Sequence, residues 1–142
     1  MSHLVYLIGS LRNPRIPEIA QALRQAGHGV FDDWFAAGPI ADDSWRDYEK
    51  ARGRSYKEAL EGHAALHVFR FDWGHLQTAT AGLLVLPCGK SGHIEFGYLT
   101  GQNKPTYVLM DEPDDRWDVM YNFADEVCYT MEELINALHQ AA

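Results

Sequence analysis

Three short apolar runs, each closed by small or turn-forming residues, set the frame of the chain. Leu4-Val5-Tyr6-Leu7-Ile8 ends in Gly9-Ser10, Gly82-Leu83-Leu84-Val85-Leu86 ends in Pro87, and Thr106-Tyr107-Val108-Leu109-Met110 follows Lys104-Pro105. The runs are continuous rather than alternating, which predicts strands buried on both faces, as in a parallel sheet. Val30-Phe31 and the segment 126–129 read as two shorter strands. Between the runs the apolar spacing is helical. Ile16, Ile19, Ala20 and Leu23 share a face behind Pro14 and Pro17, and that helix ends near Gly27. Ser44 to about His67 is mostly helical with breaks near Gly53 and Gly62, and Phe69–Thr80 reads as a further helix. A helix over about 93–102 places Ile94, Tyr98 and Leu99 on one side, and Thr130 with Glu133 has capping-box spacing before the last helix. Residues 36–43 and 111–115 read as loops. Strands alternating with helices predict an α/β fold: a doubly wound, mostly parallel five-stranded sheet flanked by helices, flavodoxin- or Rossmann-like. Without repeats, low-complexity tracts or linkers, residues 1–142 read as one domain.

Composition narrows the partners. The chain is 46% hydrophobic and 23% charged, in the range of ordinary globular proteins, with a formal net charge of −8. That balance argues against a nucleic-acid polymer or an anionic membrane as partner, and leaves room for a small ligand in a local pocket. No apolar run approaches the length of a membrane span, and Met1-Ser2-His3 leads directly into a strand without a signal segment. Cys88 and Cys128 lie in dissimilar contexts outside any CxxC pair, and read as reduced thiols at strand positions of a cytoplasmic protein.

Candidate chemistry concentrates where strands end. Tyr6, Asp32 and Asp33, Asp72 and Glu95 all lie at or near such ends, and in a parallel sheet these converge on one rim. Glu95 is placed in the first turn of a helix, where the ionised form is favoured, and so suits a nucleophile. Asp72 suits proton transfer or a hydroxyl contact. Two carboxylates in reach of one substrate can divide the work of breaking a glycosidic bond. Each residue also has a plain structural reading: Glu95 as a helix-dipole partner, Asp72 as the N-cap of helix 73–80, Tyr6 as a core aromatic. The loop Gly89-Lys90-Ser91-Gly92 can offer N–H groups, a hydroxyl and an ammonium to an anion, or can form a solvated turn.

The order and spacing of these pieces resemble the nucleoside 2-deoxyribosyltransferase superfamily, which includes base-exchanging transferases and nucleoside monophosphate N-glycosidases. The resemblance runs over roughly residues 4–110. It rests on Val5-Tyr6-Leu7-Ile8-Gly9-Ser10, on Asp72, on Gly92-His93-Ile94-Glu95-Phe96-Gly97-Tyr98 and on Gly101-Gln102-Asn103-Lys104-Pro105. It implies that Glu95 attacks C1′ of a nucleoside to form a glycosyl-enzyme, that Asp72 assists the leaving base, and that Tyr6 orients the nucleophile. Ile8, Gly9, Ser10, Lys90, Ser91, Gly92 and His93 then fall at substrate-contact positions. Asp118 corresponds to a residue that a neighbouring subunit contributes, which implies a homodimer or a higher even homo-oligomer. No cofactor is implied.

Two departures qualify the resemblance. The family's transferases carry a sugar-contacting Asp before the glutamate, whereas Lys90-Ser91-Gly92 has no carboxylate and resembles the 5′-phosphate loop of the monophosphate N-glycosidases. Thr80 also stands where relatives often carry Asp. Asp33 and Trp34, with Phe35, are candidates for holding the base, or Trp34 and Phe35 pack beneath the following loop. His63 and His67 have i, i+4 spacing but lack a third ligand, so no metal is expected. The leading expectation is therefore cleavage of a nucleoside or nucleoside 5′-monophosphate, with transfer to a second base or to water. A non-catalytic nucleotide-binding sensor and a TIR-like NAD glycohydrolase are the alternatives.

Overall fold

A computed structural model describes residues 2–112 and 114–140. Five strands, β1 (Leu4–Ile8), β2 (Gly29–Phe31), β3 (Ala81–Val85), β4 (Thr106–Leu109) and β5 (Glu126–Cys128), form one sheet. Every pairing is parallel and the order is β2-β1-β3-β4-β5. The chain winds outward from β1 to β2, then returns past β1 to build β3, β4 and β5. The strand order therefore reverses between β1 and β3, and in open α/β sheets the ligand crevice lies outside the carboxyl ends at such a point.

Helices cover both faces. Helix α1 (Ile16–Gln25) and the carboxy-terminal α6 (Met131–Gln140) pack on one face against Val5, Leu7, Leu83, Val85 and Leu109. On the other face, Leu76 of α4 (His63–Thr78) and Phe96 and Leu99 of α5 (Lys90–Gly101) pack against Tyr6, Ile8, Leu84 and Val108. The alternation along β1 follows from the two-residue period of a strand. It aims Tyr6 at the α4/α5 face. Helices α2 (Ala41–Ala51) and α3 (Tyr56–Leu60) precede α4, and Ser55 and Glu58 close a capping box at α3. Thr130 Oγ1 accepts from Glu133 N at 3.1 Å, as the spacing before the last helix predicts.

Several expected boundaries move. Residues 41–43 belong to α2 rather than to a loop. The expected helices either side of position 68 merge into α4, so Asp72 lies mid-helix and is not an N-cap. Helix α5 begins at Lys90, with Gly89 as N-cap, so the expected loop Lys90–Gly92 is its first turn and Glu95 stands in its second. Its buried positions are Gly92, Phe96 and Leu99; Ile94 is 73% exposed, not on the Leu99 face. Cys128 sits in β5, but Cys88 lies beyond the end of β3, and both are free thiols. No helix among the described residues is long and apolar enough to cross a membrane.

Candidate active site

The Tyr6 hydroxyl donates a short hydrogen bond to Glu95 Oε2, joining the middle of β1 to the second turn of α5. Tyr6 is 1% exposed. Burial pushes the Glu95 carboxyl up to about 7; the Tyr6 hydrogen bond opposes that shift and the nearby Asp72 adds to it. Burial, then Glu95, raises the Tyr6 hydroxyl, which keeps it protonated as a donor. Asp72, half-buried on α4, is also raised by burial, with His75 acting against the shift. Its Oδ1 is buried and has no hydrogen-bond partner. A buried carboxyl oxygen in that state calls for an explanation, and a ligand group or a retained proton would satisfy it. Tyr6, Glu95 and Asp72 are thus brought together.

The rim beside these groups is built by tight backbone packing. A Cβ on Gly92 would fall on Cys88 Sγ, and one on Gly9 would meet Ile16 Cδ1 at 2.5 Å. At Gly92 the absence of a side chain lets the first turn of α5 pack directly on Cys88 and Ile8, whereas at Gly9 the close atom is the mobile end of the Ile16 side chain. The free N–H groups of that first turn, with exposed Lys90 and Ser91, form an anion-favouring end. Alongside lies a cavity of about 450 Å³ lined by residues that include Ser10, Arg12, Asn13, Arg15, Cys88 and Gly89. Asn13 is 9% exposed and its Nδ2 lacks a partner.

The remaining expected contacts take different places. Ile8 is buried in the core, so only its backbone faces the rim. Trp34 packs against both sides of the sheet and its indole N–H donates to Leu7 O at 2.8 Å, while Asp33 is exposed at the start of a short 3₁₀ turn. No hydrogen bond among the described residues joins either to Glu95. The His93 ring contacts Gly89 O through Nδ1 at 2.8 Å and Tyr121 Oη through Nε2 at 2.9 Å. Because a carbonyl only accepts, Nδ1 carries a proton and donates to Gly89 O, while Nε2 pairs with the Tyr121 hydroxyl. This ties the 3₁₀ turn at Val119–Phe123, capped by Asp118 through Met120 N at 2.8 Å, to the start of α5. His63 and His67 line a shallow groove along α4, and no three metal-ligating side chains cluster among the described residues.

No family model matches the chain, and no curated protein matches it. Solved structures do. A 2-deoxyribosyltransferase from Bacillus psychrosaccharolyticus matches with a TM-score of 0.63 at 16% identity, over 96% of this chain and 91% of that one. A CMP N-glycosidase from Clostridium botulinum matches at 0.56 and 12% identity, over 98% and 99%. A conserved protein from Enterococcus faecalis matches at 0.61 and 11%, with both chains fully covered. The chain shares the fold of these three proteins.

Within this fold, the Gly-x-x-Lys-Pro piece has a task that spacing alone does not disclose. Lys104 Nζ donates to Leu76 O at 2.7 Å and to Gln77 O at 2.9 Å, at the carboxyl end of α4. Gln77 Nε2 in turn donates to Tyr98 Oη, which also accepts from Gln102 Nε2 at 2.8 Å. The contribution of Asn13 was not legible either, since Asn13-Pro14 signals only a turn.

Proposed function

We propose that the protein cleaves the N-glycosidic bond of a nucleoside 5′-monophosphate through a glycosyl ester on Glu95. The observation that carries this reading is the hydrogen bond from buried Tyr6 to half-buried Glu95 with Asp72 beside it, at the point where the strand order reverses. Tyr6 holds Oε2 and leaves Oε1 free. Oε1 forms a bond to C1′ as the C1′–N bond breaks, and the protonated Asp72 gives its proton to the departing base. Water or a second base then attacks C1′, returns a proton to Asp72 and frees the Glu95 carboxylate. A glutamate near pH 7 in its titration is poised for this work, since it is largely ionised at mildly alkaline pH yet weakly solvated.

The first turn of α5, with Lys90, Ser91 and the Gly92 backbone, and the adjoining cavity lined by Ser10, Arg12 and Gly89 among others support a 5′-phosphate subsite. The structural neighbours, a deoxyribosyltransferase and a CMP N-glycosidase, are consistent with both outcomes of the glycosyl ester. A homodimer or a higher even homo-oligomer belongs to this reading. Val68, Phe69, Phe71 and Trp73 on α4, and Trp117, Val119 and Met120 near Asp118, present large apolar side chains to solvent.

The test is to incubate wild type and Glu95→Ala with nucleosides and their 5′-monophosphates, with and without a second free base, and to separate the products. Release of base by wild type alone supports the reading, and a new nucleotide formed only with the acceptor assigns transfer. Equal turnover of nucleosides and monophosphates would remove the phosphate subsite. Tight binding with no base release would replace catalysis by sensing.

A further inference from the structure

Helix α4 is weakly held for an element that carries a candidate catalytic group. Of its sixteen residues only Leu76 is buried, and Val68, Phe69, Phe71 and Trp73 are exposed by 45% or more. Its attachments gather at the carboxyl-terminal half. His75 stacks on Phe31 of β2 with ring centroids 3.9 Å apart, and Phe71 meets Phe31 edge-on at 5.6 Å. The polar attachments are those of Lys104 to the carbonyls of Leu76 and Gln77, and of the Gln77 side chain to Tyr98. Leu76 lies four residues after Asp72, on the same face of α4, and Tyr98 lies three residues after Glu95 on α5.

We propose that Lys104, Tyr98 and Gln77 form a clasp between α4 and α5 that sets where Asp72 stands relative to Glu95. They are positioning residues for the glycosyl chemistry proposed above, and the inference rests on that reading for its kinetic consequences. A lysine at a helix carboxyl terminus ordinarily serves as a cap, stabilising the last carbonyls. Here the capped turn is bonded through its own side chain to the helix that bears the nucleophile. Loosening the clasp would let Asp72 swing toward water. Glu95 would then lose the neighbouring carboxyl whose ionisation opposes its own, and the leaving base would lose its aligned proton donor. The titratable groups facing the pair are Tyr6, which faces both carboxyls, Cys88 beside Glu95 and His75 on Asp72, and none of them belongs to the clasp.

The experiment compares Lys104→Met and Tyr98→Phe, each alone and combined with Asp72→Asn, with Lys104→Arg as the conservative variant. Two readouts are needed. Carboxyl-carbon NMR titration of Glu95 reports the clasp without substrate, and kinetics on nucleoside 5′-monophosphates reports its use. Expected are a downward shift of the Glu95 midpoint in both single variants and no further shift when Asp72 is already Asn. The value of kcat should fall about 10- to 100-fold with KM little changed, as for a displaced catalytic group. Lys104→Arg should recover most of it. Because the effect passes through Asp72, the loss should largely vanish in the Asp72→Asn background. An unchanged Glu95 midpoint, or the same fold-loss in both backgrounds, would show a fold-stabilising cap and overturn the proposal. If wild type cleaves none of the substrates, the proposed function fails while the titration still decides the clasp.

Discussion

Replacing Glu95 by Gln should stabilise the protein, and by an amount that grows with pH. In the folded chain the carboxyl titrates near 7 against an ordinary 4.5. At about 1.4 kcal/mol per pH unit of separation, the full linkage is roughly 3 kcal/mol. The folded-state value is raised, so the unfolded chain releases this proton first. Stability associated with the protonated group is complete below about 4.5 and is lost as pH rises through about 7. Gln carries no charge and keeps a carbonyl that can accept from the Tyr6 hydroxyl. The variant should therefore exceed wild type by about 1 kcal/mol at pH 5 and about 3 kcal/mol at pH 8. For a chain of this size that is a melting-temperature gap widening to roughly 10 °C at pH 8. Urea and thermal denaturation of both proteins at pH 5 and pH 8 measure it. A gap that is the same at both pH values, or a variant less stable at pH 8, would refute the claim that Glu95 is held against its ionised form.

Other consequences follow from neighbouring groups. The kcat/KM profile should climb as pH rises through about 7, because attack requires the Glu95 carboxylate; a midpoint near 4.5 would show a solvated carboxylate instead. Gly92→Ala should cost roughly 1–3 kcal/mol by overpacking against Cys88, and Cys88→Ala in the same chain should restore most of that stability. At the opposite end of the sheet, His28 is 5% exposed, with Nδ1 accepting from His3 N at 3.0 Å and Nε2 unpartnered. Burial lowers its pKa, helped by His139, His3 and the amino terminus, so its neutral form supports folding and that support is lost as pH falls below about 6.5. In the Glu95→Gln background, His28→Asn should therefore flatten the decline of melting temperature between pH 7 and 5.

The legible parts of this chain were those where one physical pattern dominates. Strands β1, β3 and β4 are continuous apolar runs because helices cover both faces of the sheet, and no other short element needs that composition. Helix α1 was equally plain, with a single buried stripe behind Pro14 and Pro17. The start of α5 was hidden because Gly89 caps it without a side-chain hydrogen bond, leaving no capping residue to mark it. Ile94 suggested the wrong face because the helix buries Gly92, which contributes no hydrophobic signal. Exposed aromatics broke the apparent period of α4, so Asp72 looked like the start of a helix rather than its interior. Tyr6 and Glu95, 89 residues apart, could be brought to one rim from the strand and helix that bear them, but their pairing came from the family resemblance, and Tyr6 stands in the middle of β1 rather than at its end. The clasp through Lys104 could not, because it depends on which carbonyls end α4, a feature of three-dimensional packing alone.

A covalent ester between Glu95 and the sugar can be trapped directly. Wild type and Glu95→Gln would be quenched in acid during turnover of a nucleoside 5′-monophosphate, digested, and examined by peptide mass spectrometry. A pentosyl phosphate should be carried on the peptide containing Glu95 in wild type and be absent from the variant. Sustained base release with that peptide unmodified at every quench time, or undiminished base release by the variant, would contradict it.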